Sequence, residues 1–84
     1  MLLCIDIGNT TVTLGAFDGT RLITTLSVAT DTRRLADEYG FLVTNLLEQK
    51  GVDPSRIDEI SMCSVVPPLT GVFDQVCREF FSVD

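Results

Sequence analysis

The chain has 84 residues, 45% of them hydrophobic, and a formal net charge of −6. A chain of this length is one small domain or part of one, and it buries only about two-thirds of its unfolded surface. The acidic balance, without any run of Lys or Arg, argues against a surface for nucleic acid or for an anionic membrane. The sequence contains no histidine, which excludes His-based acid–base or metal chemistry.

The N-terminal stretch predicts a strand, a tight polar turn and a second strand. The apolar run Leu2–Ile5 ends at one carboxylate, Asp6, and Gly8 follows in the turn. From Thr11 polar and apolar residues alternate up to Gly15, as expected for a strand with one buried face. A single acid therefore stands at the mouth of a glycine turn between two strands.

This layout suits the handling of phosphate. Gly8 lets the backbone approach a bulky anion, and the N–H groups of the turn can point at phosphate oxygens. The carboxylate of Asp6 would repel phosphate directly, so its presence is best explained by a divalent cation between them, most naturally Mg²⁺. The side chains that can add hydrogen bonds are Asn9, Thr10, Thr11 and Thr13.

A second interpretation of the same turn stays open, because Gly, Asn and Thr are ordinary residues of hairpin turns. Asp6 favours the phosphate site over a plain hairpin. An unpaired carboxylate at the end of a buried strand costs free energy, and a hairpin alone does not explain it.

The next segment predicts an antiparallel meander. Asp18 and Gly19 lie between two alternating runs, which is a strong hairpin signal. The third strand that follows has four residues on its inward face: Leu22, Thr24, Leu26 and Val28. The first three strands therefore form one antiparallel sheet.

A helix follows, because the hydrophobic period changes from two to that of a helix. Asp31 or Thr32 can cap its start, and Gly51 with Pro54 beyond it predicts an end near Lys50. The predicted buried stripe consists of Leu35, Tyr39, Leu42 and Leu46.

The C-terminal part predicts a strand and a second helix. Asp53–Arg56 reads as a linker turn, and Ile57–Val66 is apolar enough to predict a strand buried on both faces. A strand that follows a helical crossover is expected to run parallel to its neighbour. Pro67 and Pro68 open the second helix. Its predicted buried stripe is Leu69, Val72, Phe73, Val76 and Phe80.

Cysteine usage and the N-terminus predict a cytoplasmic protein. Cys4, Cys63 and Cys77 lie far apart within apolar runs, which predicts buried reduced thiols rather than a disulfide frame or a zinc site. The short N-terminal apolar run has no basic region before it and is interrupted by Asp6. We therefore expect neither a signal peptide nor a membrane span.

Four motifs in order resemble those of one family. Asp6–Gly15 resembles the first phosphate motif of the type III pantothenate kinases, which belong to the superfamily of acetate and sugar kinases, heat-shock ATPases and actin. Ala29–Arg34, Asp37–Gly40 and Ser64–Thr70 resemble three further motifs of that family. Four matches in the correct order are far more specific than any single one.

The resemblance implies an α/β fold, the ribonuclease H-like half of an actin-like ATPase, in the order β-β-β-α-β-α. Its mixed sheet would have three antiparallel strands and a parallel fourth. Residues 1–84 would be a single partial domain, the N-terminal segment of the first of two such halves. The fourth strand would then present an open edge that invites pairing. Leu35 departs from the family pattern, where a hydroxyl residue usually forms a capping box with Glu38.

The resemblance also implies an activity, the transfer of the ATP γ-phosphate to pantothenate in the first step towards coenzyme A. Asp6 would position Mg²⁺, through water, for catalysis. The ATP-binding residues implied are Asp6, Gly8, Asn9, Thr10, Thr11 and Thr13. The family also needs a monovalent cation, K⁺ or NH₄⁺, and an aspartate base, whose residues we expect beyond Asp84. Family members are homodimers, and the 84 residues alone are expected to have no appreciable kinase turnover.

Two other functions are kept as alternatives. One is a non-catalytic nucleotide-binding or accessory module, because proteins of this family have also been described as accessory factors in bacterial gene expression. The other is a structural or oligomerisation domain whose polar turn is only a hairpin. In that case Asp6→Asn would leave nucleotide affinity at nil and would stabilise the fold by removing a half-buried charge.

Overall fold

The structure is a computed structural model that describes residues 1–83. It confirms the predicted order of three strands, a helix, a fourth strand and a second helix. The strands are β1 (Leu2–Ile7), β2 (Thr11–Asp18), β3 (Arg21–Ala29) and β4 (Glu59–Ser64). The helices are α1 (Ala36–Gln49) and α2 (Pro67–Phe80), and a short 3-10 helix, Pro54–Arg56, precedes β4.

The four strands form one mixed sheet in the order β3-β2-β1-β4. β1, β2 and β3 pair antiparallel, whereas β4 pairs parallel to β1 after the crossover through α1. The β2–β3 connection needs only two residues, Gly19 and Thr20, and Gly19 adopts the positive φ of +61° that a tight hairpin requires. This arrangement agrees with the predicted ribonuclease H-like half, with the hairpin turn one residue later than expected.

The hydrophobic core lies between one face of the sheet and the two helices. Alternate residues of β1 and β2, such as Leu3, Ile5 and Leu14, are buried on this face together with Tyr39 of α1 and Phe73 of α2. The opposite sheet face, which we call the open face, is covered by no element of residues 1–83. Neither helix in this range is long and apolar enough to cross a membrane.

The predicted inward face of the third strand is wrong at its start. Leu26 and Val28 are buried as expected, but Leu22 is 50% exposed and lies on the open face. The cause is a β-bulge, since Ala16 pairs with Thr24 while Phe17 pairs with Leu22. The extra residue reverses the alternation of side chains between the two faces.

The predicted buried stripe of α1 is also wrong in part. Tyr39 is fully buried, but Leu35 precedes the helix and is 67% exposed. Besides Tyr39, the buried residues of α1 are Ala36, Gly40, Val43 and Leu47. The helix is rotated towards its small residues because Gly40 allows the ring of Phe80 from α2 to approach the α1 backbone.

Neither predicted cap begins α1. The helix begins after Leu35, whose backbone N–H donates to Glu38 Oε1 at 2.8 Å. This contact is the Glu half of a capping box, and Leu35 supplies no hydroxyl for the other half. Asp31 instead accepts from the backbone N–H of Arg33 and belongs to the connection before the helix. The predicted end of α1 near Lys50 and Gly51 is confirmed, with φ +84° at the glycine.

β4 is not buried on both faces. Ile60 and Met62 pack partly against the core, whereas Glu59, Ser61 and Cys63 are exposed on the open face. The apolar composition of this segment therefore overstated its burial. β4 forms one edge of the sheet of residues 1–83, as the resemblance implied.

The predicted burial of the cysteines holds for one thiol of three. Cys77 is buried in α2, Cys4 is half-buried on the open face, and Cys63 is exposed there. Burial, and secondarily the negative charge of Asp74, raises the pKa of the Cys77 thiol. Strand alternation explains the difference, because outward positions of β1 and β4 face no covering element in the described residues.

Gly40→Ala is expected to destabilise the fold by about 1–2 kcal/mol, because the new methyl group would collide with the ring of Phe80. The better helix propensity of alanine offsets only part of this cost. Urea unfolding measures the change. Gly71→Ala is the matched control, since a Cβ there meets no atom within 4 Å. It should stabilise the chain by about 0.5–1 kcal/mol. Equal effects of the two variants would contradict the contact between α1 and α2.

The three thiols are expected to react with iodoacetamide in the order Cys63, Cys4, Cys77. Exposure decides the order for the first two, and Cys77 is slowest because it is buried and its raised pKa leaves less reactive thiolate. Timed alkylation followed by mass spectrometry with peptide fragmentation measures each rate. In urea the three rates should converge. A fast Cys77 under native conditions would contradict the packing of α2.

Candidate functional site

The candidate site lies where β1 ends and β2 begins. Asp6 is the second-last residue of β1, and its carboxylate is exposed on the open face of the sheet. Its cross-strand neighbours are Thr13 on β2 and Cys63 on β4. The prediction that Asp6 ends a buried strand is therefore wrong. The carboxylate is exposed to water. The free-energy cost of burying an unpaired charge therefore does not apply to Asp6 and is no argument for a ligand site.

The turn between the strands is closed by a backbone hydrogen bond. The N–H of Gly8 donates to the carbonyl oxygen of Thr11 at 3.0 Å. A Cβ atom at Gly8 would also lie 3.0 Å from that oxygen, closer than side-chain carbons normally approach backbone. Glycine therefore suits the tight closure of the turn better than a residue with a Cβ atom.

The turn offers hydrogen-bond donors with no protein partner in residues 1–83. The backbone N–H groups of Asn9 and Thr10 donate to no atom of this part of the chain. The side chains predicted to bind phosphate are all exposed and form no hydrogen bond with the described residues: Asn9, Thr10, Thr11 and Thr13. Together with Asp6 and Gly8, the structure brings all six predicted residues to one end of the β1–β2 hairpin.

The connection between β3 and α1 holds this turn from the side. Thr30 Oγ1 donates to the carbonyl oxygen of Gly8 at 2.7 Å, and the N–H of Thr30 donates to the carbonyl oxygen of Thr10 at 2.9 Å. Sequence reasoning gave Thr30 no role. The only signal was its place in a family motif, because the contact joins residues 22 positions apart.

A shallow depression of about 350 Å³ runs along the open face from the site. Asp6, Thr13 and Cys63 line its polar end, and Phe17 and Leu22 line its apolar end. The depression leaves room beside the carboxylate for a group larger than water. A ligand that lies in the depression can therefore reach the carboxylate of Asp6 from the open face.

The donor set fits Mg²⁺ bound through a nucleotide rather than a metal held by protein alone. Residues 1–83 contain no group of three or more His, Cys, Asp or Glu side chains placed to hold a metal. Mg²⁺ usually keeps several waters and is bound by one or two carboxylates together with substrate phosphates. A single accessible carboxylate, Asp6, beside free N–H donors meets that requirement.

Two arginines lie in the connection that Thr30 ties to the turn. Arg33 Nε lies 3.2 Å from Asp31 Oδ1, and the guanidinium of Arg34 lies 5.4 Å from the centre of the Tyr39 ring. The backbone N–H of Arg33, followed by its side chain, lowers the pKa of Asp31. This connection is therefore ordered by its own contacts next to the turn.

Comparison with known proteins gives one consistent result. A family profile described as type III pantothenate kinase matches residues 2–84. Curated proteins named type III pantothenate kinase are 50% identical over 84 residues in Roseiflexus castenholzii, 46% over 81 residues in Pelobacter propionicus and 45% over 83 residues in Myxococcus xanthus. These alignments cover 100%, 96% and 99% of this chain and 33%, 32% and 32% of the relatives. The chain spans about a third of the length of the curated relatives it matches.

Arg33→Gln is expected to raise the pKa of Asp31 only part of the way to its usual value. The variant loses the guanidinium, but the backbone N–H of residue 33, the larger cause, remains. Because the folded pKa is lowered, Asp31 contributes stability above the usual aspartate range, and this is lost as the pH falls through the folded pKa. Carboxyl NMR titration measures the change. Arg34→Gln is the control, because Arg34 is the smallest cause of the lowered pKa. If it raised the pKa of Asp31 as much as Arg33→Gln does, the assignment of the shift to Arg33 would be contradicted.

Proposed function

The chain belongs to the type III pantothenate kinase family, and we propose that it forms the ATP-phosphate-binding segment of such a kinase. Residues 1–84 form a single partial domain, the N-terminal segment of the first actin-like ATPase half. The intact protein transfers the γ-phosphate of ATP to pantothenate in coenzyme A biosynthesis. It works in the cytoplasm as a homodimer with a monovalent cation, K⁺ or NH₄⁺.

Asp6 is assigned the role of positioning Mg²⁺ through its water shell. When bound, Mg²⁺ neutralises charge on the β- and γ-phosphates, on which phosphoryl transfer mainly depends. The exposed carboxylate suits this role, because a solvated acid can hold a hydrated cation without first breaking an ion pair. In residues 1–83 Asp6 forms no salt bridge within 4.0 Å.

The turn is assigned the role of binding the phosphate oxygens. Gly8 closes the turn, and the N–H groups of Asn9 and Thr10 are the backbone donors. The hydroxyl groups of Thr11 and Thr13 add side-chain donors on the β2 side, next to Asp6. Donors of this kind orient the phosphate chain and hold the γ-phosphate for attack.

One observation carries the proposal: an accessible, unpaired carboxylate and several donors without protein partners meet at one end of a hairpin. Two backbone N–H groups and four polar side chains without protein partners in residues 1–83 stand beside one carboxylate, which is the combination that a phosphate chain with its Mg²⁺ needs. No observation favours the accessory module over the kinase segment.

The structural alternative predicts that the fold gains stability when Asp6→Asn removes a half-buried charge, and the exposed position of Asp6 contradicts the premise of that prediction. Because Asp6 is exposed, its substitution is expected to change the free energy of unfolding by less than about 0.5 kcal/mol. Asp6→Asn therefore separates binding from stability.

Asp6→Asn is expected to abolish the binding of Mg·ATP, because the neutral amide no longer attracts the hydrated cation. Calorimetry on the 84-residue chain measures affinity, after circular dichroism has shown that each variant folds. Asp18→Asn is the matched control, since it makes the same change at the far end of β2 and should leave affinity unchanged.

Two results would contradict the proposed function. In the first, the folded native chain binds no Mg·ATP at millimolar nucleotide. In the second, Asp6→Asn and Asp18→Asn bind as the native chain does. Equally tight ATP binding by the native chain without Mg²⁺ would contradict the role of Asp6 in holding the cation.

A further inference from the structure

Two motifs of the sequence, Ala29–Arg34 and Asp37–Gly40, have no part in the phosphate contacts assigned above. The structure joins them through hydrogen bonds to the turn between β1 and β2. Thr30 belongs to the first motif and contacts the turn, and Tyr39 belongs to the second and contacts Asp31. These contacts form a continuous connection from the helical core to Gly8.

Thr30 binds the turn on both sides of Asn9. Its hydroxyl donates to the carbonyl oxygen of Gly8, and its N–H donates to the carbonyl oxygen of Thr10. In a planar trans peptide the carbonyl and the N–H of the next residue point in opposite directions. The first contact therefore directs the N–H of Asn9, one of the two backbone donors assigned to the phosphate, away from Thr30. The second contact fixes the peptide unit between Thr10 and Thr11.

Tyr39 fixes the position of Thr30 through the neighbouring residue. The Tyr39 hydroxyl accepts from the N–H of Asp31 at 2.8 Å and donates to the carbonyl oxygen of Asp31 at 2.9 Å. The Tyr39 ring is fully buried and lies 4.8 Å from the ring of Phe73 in α2. The residue next to Thr30 is thus attached at both its backbone polar groups to a rigid part of the core.

We propose that Thr30 is a positioning residue of the phosphate site and that Tyr39 anchors it. The inference rests on the proposed function and adds a role for residues outside the phosphate contacts. Thr30 touches no phosphate itself. It holds the peptide unit of Gly8 and Asn9 so that the N–H of Asn9 is turned away from Thr30 and is free for the nucleotide before it binds, which lowers the cost of ordering the turn on binding.

The test compares three substitutions in the 84-residue chain. Thr30→Val removes the hydroxyl but keeps shape and the backbone contact, and Thr30→Ser restores the hydroxyl. Thr44→Val is the matched control, because Thr44 Oγ1 donates to the carbonyl oxygen of Gly40 at 2.8 Å, within α1 and away from the turn. For each variant we would measure Mg·ATP affinity by NMR titration, hydrogen exchange of the Gly8 amide and urea unfolding.

Thr30→Val is expected to lower the affinity for Mg·ATP about five- to tenfold, which is the equivalent of one lost hydrogen bond. It should also speed exchange of the Gly8 amide, and Thr30→Ser should restore both values. Thr44→Val should lower the free energy of unfolding about as much as Thr30→Val does. It should leave the Mg·ATP affinity and the exchange rate of the Gly8 amide unchanged. If Thr30→Val fails to fold, Tyr39→Phe provides the same test, because it removes only the hydroxyl that holds Asp31.

The outcomes separate this inference from the proposed function. A native chain that binds Mg·ATP, with Thr30→Val binding equally well, would overturn the positioning role and leave the phosphate site intact. Equal losses in Thr30→Val and Thr44→Val would also overturn it, because the effect would then be one of stability alone. A native chain that binds no Mg·ATP would overturn both.

Discussion

The sheet is covered by helices on one face and not on the other in residues 1–83. This constraint determines which strand residues beside the turn are buried and which are exposed. Successive residues of a strand point to opposite faces, so the helices bury Ile5 and Ile7 while Asp6 between them points outwards. The same alternation along β2 places Thr13 beside Asp6 on the open face. The apolar residues that drive the packing of β1 and β2 thereby expose the polar residues that could bind a ligand.

The turn itself depends on a second part of the chain. Its own closure is local, between Gly8 and Thr11, but the carbonyl oxygens on either side of Asn9 are held by Thr30. Thr30 follows β3 directly, and the pairing of β3 with β2 brings it alongside the turn. The site is therefore a product of the whole meander and of α1, which anchors the connection through Tyr39.

Sequence patterns predicted the elements better than the faces they bury. Alternation and the Gly19 turn were sufficient for the meander, because both are local properties of the backbone. Leu22 was assigned to the wrong face because a bulge at Ala16 and Phe17 reversed the alternation, and no single-strand pattern contains that information. The buried face of α1 was misplaced because it depends on how closely Gly40 and Phe80 pack.

The sequence by itself determined the element order, the glycine turn and the set of residues around it. These depend on backbone preferences and on a hydrophobic period, which act over a few residues. Only the tertiary structure decided that Asp6 is exposed, that its neighbours across the strands are Thr13 and Cys63, and that Thr30 supports the turn. Such contacts join residues far apart in the chain, and they exist only once the strands have paired in register.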